Sequence, residues 1–126
     1  MARTLFAIMA ALLMLSVVVQ TFFAGMGVFG EASGWKLHIV FVRYFDKLAL
    51  IMFLLSFAGG IRGWLRWLSL IVFGMTSLQY VSAQLFSERW MIAAFHPVNA
   101  LLLFWATLHL CKRSWTWLRP GEASVA

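Results

Sequence analysis

The stretch LFAIMAALLMLSVVVQTFF, residues 5–23, decides the fold, because it runs for nineteen residues without a charged side chain. About 20 apolar residues in a helix cross the ~30 Å hydrocarbon core of a bilayer, so the stretch predicts a membrane-spanning helix. Arg3 in front of it would also suit a signal peptide. The stretch is longer than an ordinary signal core, and no clear small-x-small cleavage site follows it, so we expect a retained span.

Three further apolar stretches follow at similar lengths, at about residues 39–57, 65–85 and 91–111. The links between the four stretches are short, and short links make consecutive spanning helices antiparallel neighbours. The sequence therefore predicts an all-α fold, an up-down-up-down four-helix bundle in the membrane, with residues 1–126 forming one domain.

The composition excludes several classes of protein. Hydrophobic residues make up 63% of the chain and charged residues 11%, too few to cover a water-exposed surface when soluble domains have about 25%. The net charge of +6 comes from single or paired cations between the apolar stretches, where they act as topology signals, so we expect no nucleic-acid partner. Cys111 is the one cysteine of the sequence, which excludes an intramolecular disulfide.

The cations also predict an orientation. One side of the bundle would hold Arg3, Arg62, Arg66, Lys112, Arg113 and Arg119, and the other Lys36, Arg43, Lys47 and Arg89, partly offset by Glu31, Asp46 and Glu88. The side richer in Lys and Arg faces the cytoplasm in most membrane proteins. We therefore expect both termini to be cytoplasmic, and we call the opposite half of the bundle the outer half.

Polar side chains at membrane depth concentrate in the outer half. Gln20 lies late in the first stretch, His38 opens the second, Gln79 lies in the third, and His96 and Asn99 lie early in the fourth. Such residues are candidate functional groups, because a polar side chain in hydrocarbon is costly. They can instead form hydrogen bonds that hold the helices together. The sequence leaves a ligand cavity and an inter-helix polar cluster as alternatives.

Two local features of the second and fourth stretches carry further expectations. Arg43, Asp46 and Lys47 share one side of the second helix, and counting back from Arg62 places them at its outer end, where they could contact a lipid headgroup, an anionic ligand or a partner subunit. Pro97 disfavours helical geometry at the residue before it, so the fourth helix is either kinked there or begins near Pro97.

The runs Gln20 to Gly30 (QTFFAGMGVFG) and His96 to Leu102 (HPVNALL), with His38 between them, resemble a group of small bacterial four-span proteins without an assigned function. The run from Leu85 to Trp90 belongs to the same pattern. The resemblance implies a four-span topology, a bacterial inner membrane and these candidate residues, but no activity. Arg43, Asp46 and Lys47 are a departure from this group, because the resemblance implies a second helix without such charged residues.

Four functions remain open. A non-catalytic accessory or scaffold subunit of a larger membrane complex fits best, with no cofactor, because the sequence shows no nucleophile–base–acid set, no metal-ligand cluster and no phosphate loop. A b-type haem electron carrier with His38 and His96 as axial ligands is the alternative. We expect His38 about a turn above His96, which counts against haem because two axial histidines need nearly equal height. Whether the two side chains converge is open. A small carrier or channel is a third possibility, and a lipid-modifying enzyme is the weakest.

Overall fold

The computed structural model describes residues 1–84 and 88–118, and regular structure in these two segments is entirely α-helical. The all-α prediction is therefore confirmed. The helices are α1 Ala2–Phe29, α2 Ser33–Phe45, α3 Leu48–Ala58, α4 Trp64–Gln84, α5 Trp90–Ala93 and α6 Phe95–Thr116. Two stretches, Ala2–Phe29 and Trp90–Thr116, are long and apolar enough to cross a membrane.

Helix α1 runs antiparallel to α2 and α3, which follow each other along its length. Two side-chain hydrogen bonds fix the register: Arg3 Nε donates to Gly59 O at 2.9 Å, and Gln20 Nε2 donates to His38 O at 2.8 Å. Helix α4 packs on α3, and α6 packs on both α4 and α1. The result is a closed bundle in which α1 lies diagonally opposite α4.

The centre of the bundle is apolar and closely packed. Phe6, Leu13, Met52, Val72 and Leu110 are all within 1% of complete burial. The buried hydroxyl groups mostly donate to carbonyl groups of their own helix, a pattern that leaves no polar group of theirs unsatisfied in an apolar interior. Near the termini, polar contacts between helices come from arginines: Arg66 Nε donates to the buried Ser56 Oγ at 3.2 Å, in addition to the Arg3–Gly59 bond.

The second apolar stretch, which we predicted as a single span over 39–57, forms two helices, α2 and α3, rather than one continuous helix. The hydrogen-bond ladder of α2 ends where Asp46 N–H donates to Val42 O at 2.9 Å. The ladder of α3 begins where Ile51 N–H donates to Lys47 O at 3.0 Å. Asp46 and Lys47 therefore form a helix break midway between Ser33 and Ala58.

The break also corrects the expected position of Arg43, Asp46 and Lys47. They lie at the junction of α2 and α3, not at the outer end of a second helix. The expectation was wrong because it allowed about 20 residues for the second helix, whereas α2 and α3 together cover 33–58.

The remaining links follow ordinary helix-end chemistry. Gly60 and Gly63 have φ values of 62° and 65°, a left-handed conformation that glycine adopts without strain, and they turn the chain from α3 into α4. Of the two alternatives for Pro97, the structure has a short helix, α5, before a new helix that begins at Phe95. Pro97 then falls in the first turn of α6, where its missing N–H is not needed.

Candidate functional site

The outer half of the bundle encloses a cavity of about 670 Å³ between α1, α2, α4 and α6. It exists because α2 packs on α1 without packing extensively on α4, whereas α3, beyond the helix break, packs on both. The walls are mostly apolar, with side chains such as Val17, Ile39, Val42, Leu103 and Phe104. Four of the five predicted polar residues line it, namely Gln20, His38, Gln79 and His96.

The structure brings His38 and His96 together across this cavity. Their ring centroids are 6.3 Å apart, and the ring planes are inclined at 57°. The two histidines therefore converge, which the sequence left open. The reason is that α2 begins at Ser33, so His38 lies in its second turn, below the end of the helix.

Backbone carbonyl groups fix the chemical form of both imidazoles. His38 Nδ1 lies 2.9 Å from Gln20 O, and His96 Nδ1 lies 3.2 Å from Gln79 O. A carbonyl oxygen only accepts hydrogen bonds, so each Nδ1 carries the proton and donates it. Within the described segments, no hydrogen bond occupies either Nε2. This is how proteins orient a histidine that binds a metal.

Gln79 and Asn99 hold α6 against α4 beside His96. Asn99 Nδ2 donates to Met75 O at 2.9 Å. With its amide nitrogen toward α6, the Gln79 side chain donates to His96 O at 3.0 Å and accepts from Ala100 N at 3.3 Å, and the same nitrogen lies 3.0 Å from Asn99 Nδ2. The Gln79 side chain thus bridges one turn of α6, and the Gln79 backbone orients the His96 ring.

Gln20 performs the same pairing on the other side of the cavity. Its backbone carbonyl accepts from the His38 ring, and its side chain donates to the His38 carbonyl. Its Oε1 is buried and has no hydrogen-bond partner among the described residues. A buried acceptor without a donor is rare, and it makes the cavity suited to a ligand or water that can donate to it.

The charged residues of the second stretch are not part of this site. Arg43, Asp46 and Lys47 do not line the cavity of about 670 Å³. Asp46 and Lys47 form an ion pair at 3.2 Å and line a second cavity of about 240 Å³, which shares Thr76 and Tyr80 with the first.

Sequence reasoning missed two residues that contact the histidines. Ser82 Oγ lies 3.3 Å from His96 Nδ1 and donates to Gln79 O at 3.1 Å. The Trp35 ring lies edge-on to the His38 ring, with centroids 6.0 Å apart. Ser82 was detectable, because it is one turn after Gln79 on α4. Trp35 was not, because tryptophans near helix ends are also typical interfacial anchors.

The fold and the site define an all-helical protein with two helices able to cross a membrane and with paired histidines at an apolar cavity. Within the described segments, no group of three or more His, Cys, Asp or Glu side chains is placed to hold a metal ion. Residues 20–85 match a family of unknown function, DUF6220. The match covers more than half of the chain, which therefore belongs to this family.

The family match is consistent with the resemblance to an uncharacterised group. It includes Gln20, His38 and Gln79, whereas His96 and Asn99 lie beyond the matched residues. Of the run from Leu85 to Trp90, residues 85–87 lie outside the described segments. Comparisons with curated proteins and with solved structures give no match.

Proposed function

We propose that the protein is a four-span membrane protein that binds b-type haem between His38 and His96. We base the four membrane spans on the lengths of α1, of α2 with α3, of α4 and of α5 with α6, and on the apolar surface of these helices. Large apolar side chains are exposed along them, including Leu12 and Leu15 on α1, Leu54 on α3 and Leu101 on α6. An outward apolar surface of this extent requires lipid or other protein as its solvent.

The two ends of the bundle differ more in their number of cations once Arg43 and Lys47 are placed halfway along its length. They no longer count for the outer side, which keeps Lys36 and Arg89. The side of the termini keeps Arg3, Arg62, Arg66, Lys112 and Arg113, while Arg119 lies outside the described residues. This larger difference supports cytoplasmic termini under the positive-inside rule.

The separation of the two imidazole rings carries the haem proposal. An imidazole nitrogen binds a metal at about 2 Å and lies about 1 Å from the ring centre, so a shared metal stands about 3 Å from each centre. Half of the observed 6.3 Å between the His38 and His96 centroids equals that value, as it would if both Nε2 atoms faced a common metal. The cavity also has the size of cofactor sites, about 300–1,000 Å³, and the apolar walls that a porphyrin face requires.

The residues of this chain would act on haem mainly by orientation and exclusion. The carbonyl groups of Gln20 and Gln79 hold the Nδ1 protons of His38 and His96, which raises the basicity of each Nε2 toward iron. His38 and His96 would hold the haem, and with two imidazole ligands the bound haem would supply one-electron transfer. The apolar walls restrict water around the site.

The proposal is tested by titrating the purified protein with haemin. His38→Ala and His96→Ala each remove one axial ligand, so each variant is expected to lose the low-spin Soret absorbance of the wild type. His109→Ala is the matched control, because His109 stacks on Trp105 at 5.8 Å and does not line the cavity. Equal haem spectra in the wild type and in both site variants would contradict the proposal.

A second candidate function is an accessory role within a larger complex, which is compatible with haem binding by the same protein. The observation that favours it is the set of large apolar side chains exposed on the bundle, such as Leu54 and Leu101. An exposed apolar surface of this kind is typical of sites that contact other proteins or lipid. Size analysis of the gently solubilised protein tests this role, and a stable solitary chain would count against it.

A further inference from the structure

The ion pair between Asp46 and Lys47 is exposed on the surface of the bundle, halfway along its length. Lys47 Nζ lies 3.2 Å from both carboxylate oxygens of Asp46. The Lys47 side chain is 73% exposed and that of Asp46 is 23% exposed. The hydrogen bonds Arg3–Gly59 and Gln20–His38 show which residues of α1 lie beside each end of the α2–α3 segment. Interpolating between these two positions places Asp46 and Lys47 beside the middle of residues 5–23.

The pair lies in a groove between α3 and α4, which we call the Asp46–Lys47 groove. The rest of its lining is Leu50, Phe73, Thr76, Ser77 and Tyr80. On the adjoining surface of α4, a Cβ added to Gly74 would meet no other atom within 4 Å, so the surface there is open. Small residues such as Gly74 and Ser77 let another helix approach closely, which is how helices associate in membranes.

We propose that a second copy of this chain covers the Asp46–Lys47 groove, forming a dimer with a two-fold axis along the membrane normal. Such an axis brings residues of equal depth together, so Lys47 of one copy meets Asp46 of the other, and the reverse. Two adjacent residues of opposite charge are therefore complementary to themselves. The dimer rests on the membrane topology proposed above and not on haem.

The position and the net charge of the pair favour a second copy over other occupants. A lipid headgroup lies about half a bilayer away from a pair at mid-depth. A partner helix with one unpaired carboxylate would add an uncompensated charge, because Asp46 and Lys47 already neutralise each other. A second copy supplies equal numbers of both charges.

The test uses charge reversal in two differently tagged copies expressed together. Asp46→Lys gives a groove with two cations, and Lys47→Asp gives a groove with two anions. Each variant paired with itself is expected to lose co-purification by at least about tenfold, because like charges face each other. The mixed pair of Asp46→Lys with Lys47→Asp is expected to recover it. Neither variant has its own internal ion pair, so recovery reports contacts between copies.

A second pair of variants leaves Asp46 and Lys47 unchanged and tests whether the surface of α4 around Gly74 contacts the second copy. Gly74→Leu fills open space beside the groove and is expected to leave the helical content of the single chain unchanged while weakening co-purification. Gly25→Leu is the matched control, because a Cβ there also meets nothing within 4 Å and α1 lies diagonally opposite α4. It is expected to retain the dimer.

Several results would overturn the dimer. A wild type that stays a single chain in mild detergent and in vesicles contradicts it, as does a mixed pair that fails to recover. Co-purification of a different polypeptide that depends on Lys47, in place of a second copy, also contradicts it. Haem absorbance is recorded on the same samples, so loss of the dimer with an intact haem spectrum rejects this inference alone.

Discussion

At the scale of single residues, two backbone carbonyl groups decide what the cavity can bind. The Gln20 and Gln79 carbonyls hold the Nδ1 protons of His38 and His96 and leave both Nε2 atoms free of hydrogen bonds within the described segments. The polar residues were identifiable from sequence because each lies in an apolar stretch. Their convergence was not, because it depends on where α2 begins and on a diagonal contact between α2 and α6.

Gln79→Leu tests the support of His96. The substitution removes the amide that bridges His96 O and Ala100 N but keeps the backbone carbonyl that orients the ring. We expect haem affinity to fall by about tenfold, within the 10–100-fold range typical of residues that support a ligand. Haemin titration measures it.

Ser77→Ala is the control for this prediction. The Ser77 hydroxyl is on the same helix but is exposed and donates to Phe73 O of its own turn. Its haem affinity is expected to equal that of the wild type. An equal loss in both variants would mean that Gln79 acts through the general stability of α4 and not through His96.

At the scale of the elements, the break between α2 and α3 explains both the cavity and the exposed ion pair. The sequence predicted a helix on each side of it but not the interruption, because Asp46 and Lys47 have no glycine or proline beside them to indicate a break. Both residues keep right-handed helical dihedral angles, so the interruption depends on tertiary packing.

Gly34→Ala tests the packing of α2 on α1. A Cβ at Gly34 would lie 2.6 Å from the Met26 carbonyl carbon, so it must push the two helices apart. We expect a loss of about 1–3 kcal/mol of stability, the usual cost of overpacking. Because the shift moves His38, haem affinity is expected to fall as well. Thermal unfolding followed by circular dichroism and a haemin titration measure the two effects.

Gly25→Ala is the matched control on α1. Its Cβ would enter open space, and alanine favours a helix over glycine by up to about 1 kcal/mol, so unchanged or slightly higher stability is expected. If Gly34→Ala and Gly25→Ala unfolded at the same temperature, the close approach of α1 and α2 would be disproved.

At the scale of the whole molecule, the chain combines a plain, tightly packed half near the termini with a polar outer half. The first and third predicted stretches each correspond to one helix, α1 and α4, with residue 85 of the third outside the described segments, whereas the second and fourth are each divided between two helices. Hydrophobic length was sufficient for α1 and α4. It was not sufficient for the depth of the charges, because α2 and α3 together cover 33–58 and begin six residues before the predicted second stretch.

The proposed topology predicts that both termini are cytoplasmic. A fluorescent protein fused after residue 126 is expected to fluoresce in bacterial cells, and alkaline phosphatase fused at the same place is expected to be inactive. Phosphatase inserted between α1 and α2, near Glu31, should be active. Active phosphatase at the C-terminus would show that the cation count gives the wrong orientation.

Whether His38 and His96 together bind haem is measured by the reduced-minus-oxidised absorbance spectrum of the wild-type protein purified from haem-supplied cells. We expect a Soret band with resolved α and β bands after reduction, the spectrum of a low-spin haem held by two imidazoles. A folded protein without a Soret band, or one whose spectrum survives replacement of both histidines by alanine, would contradict it.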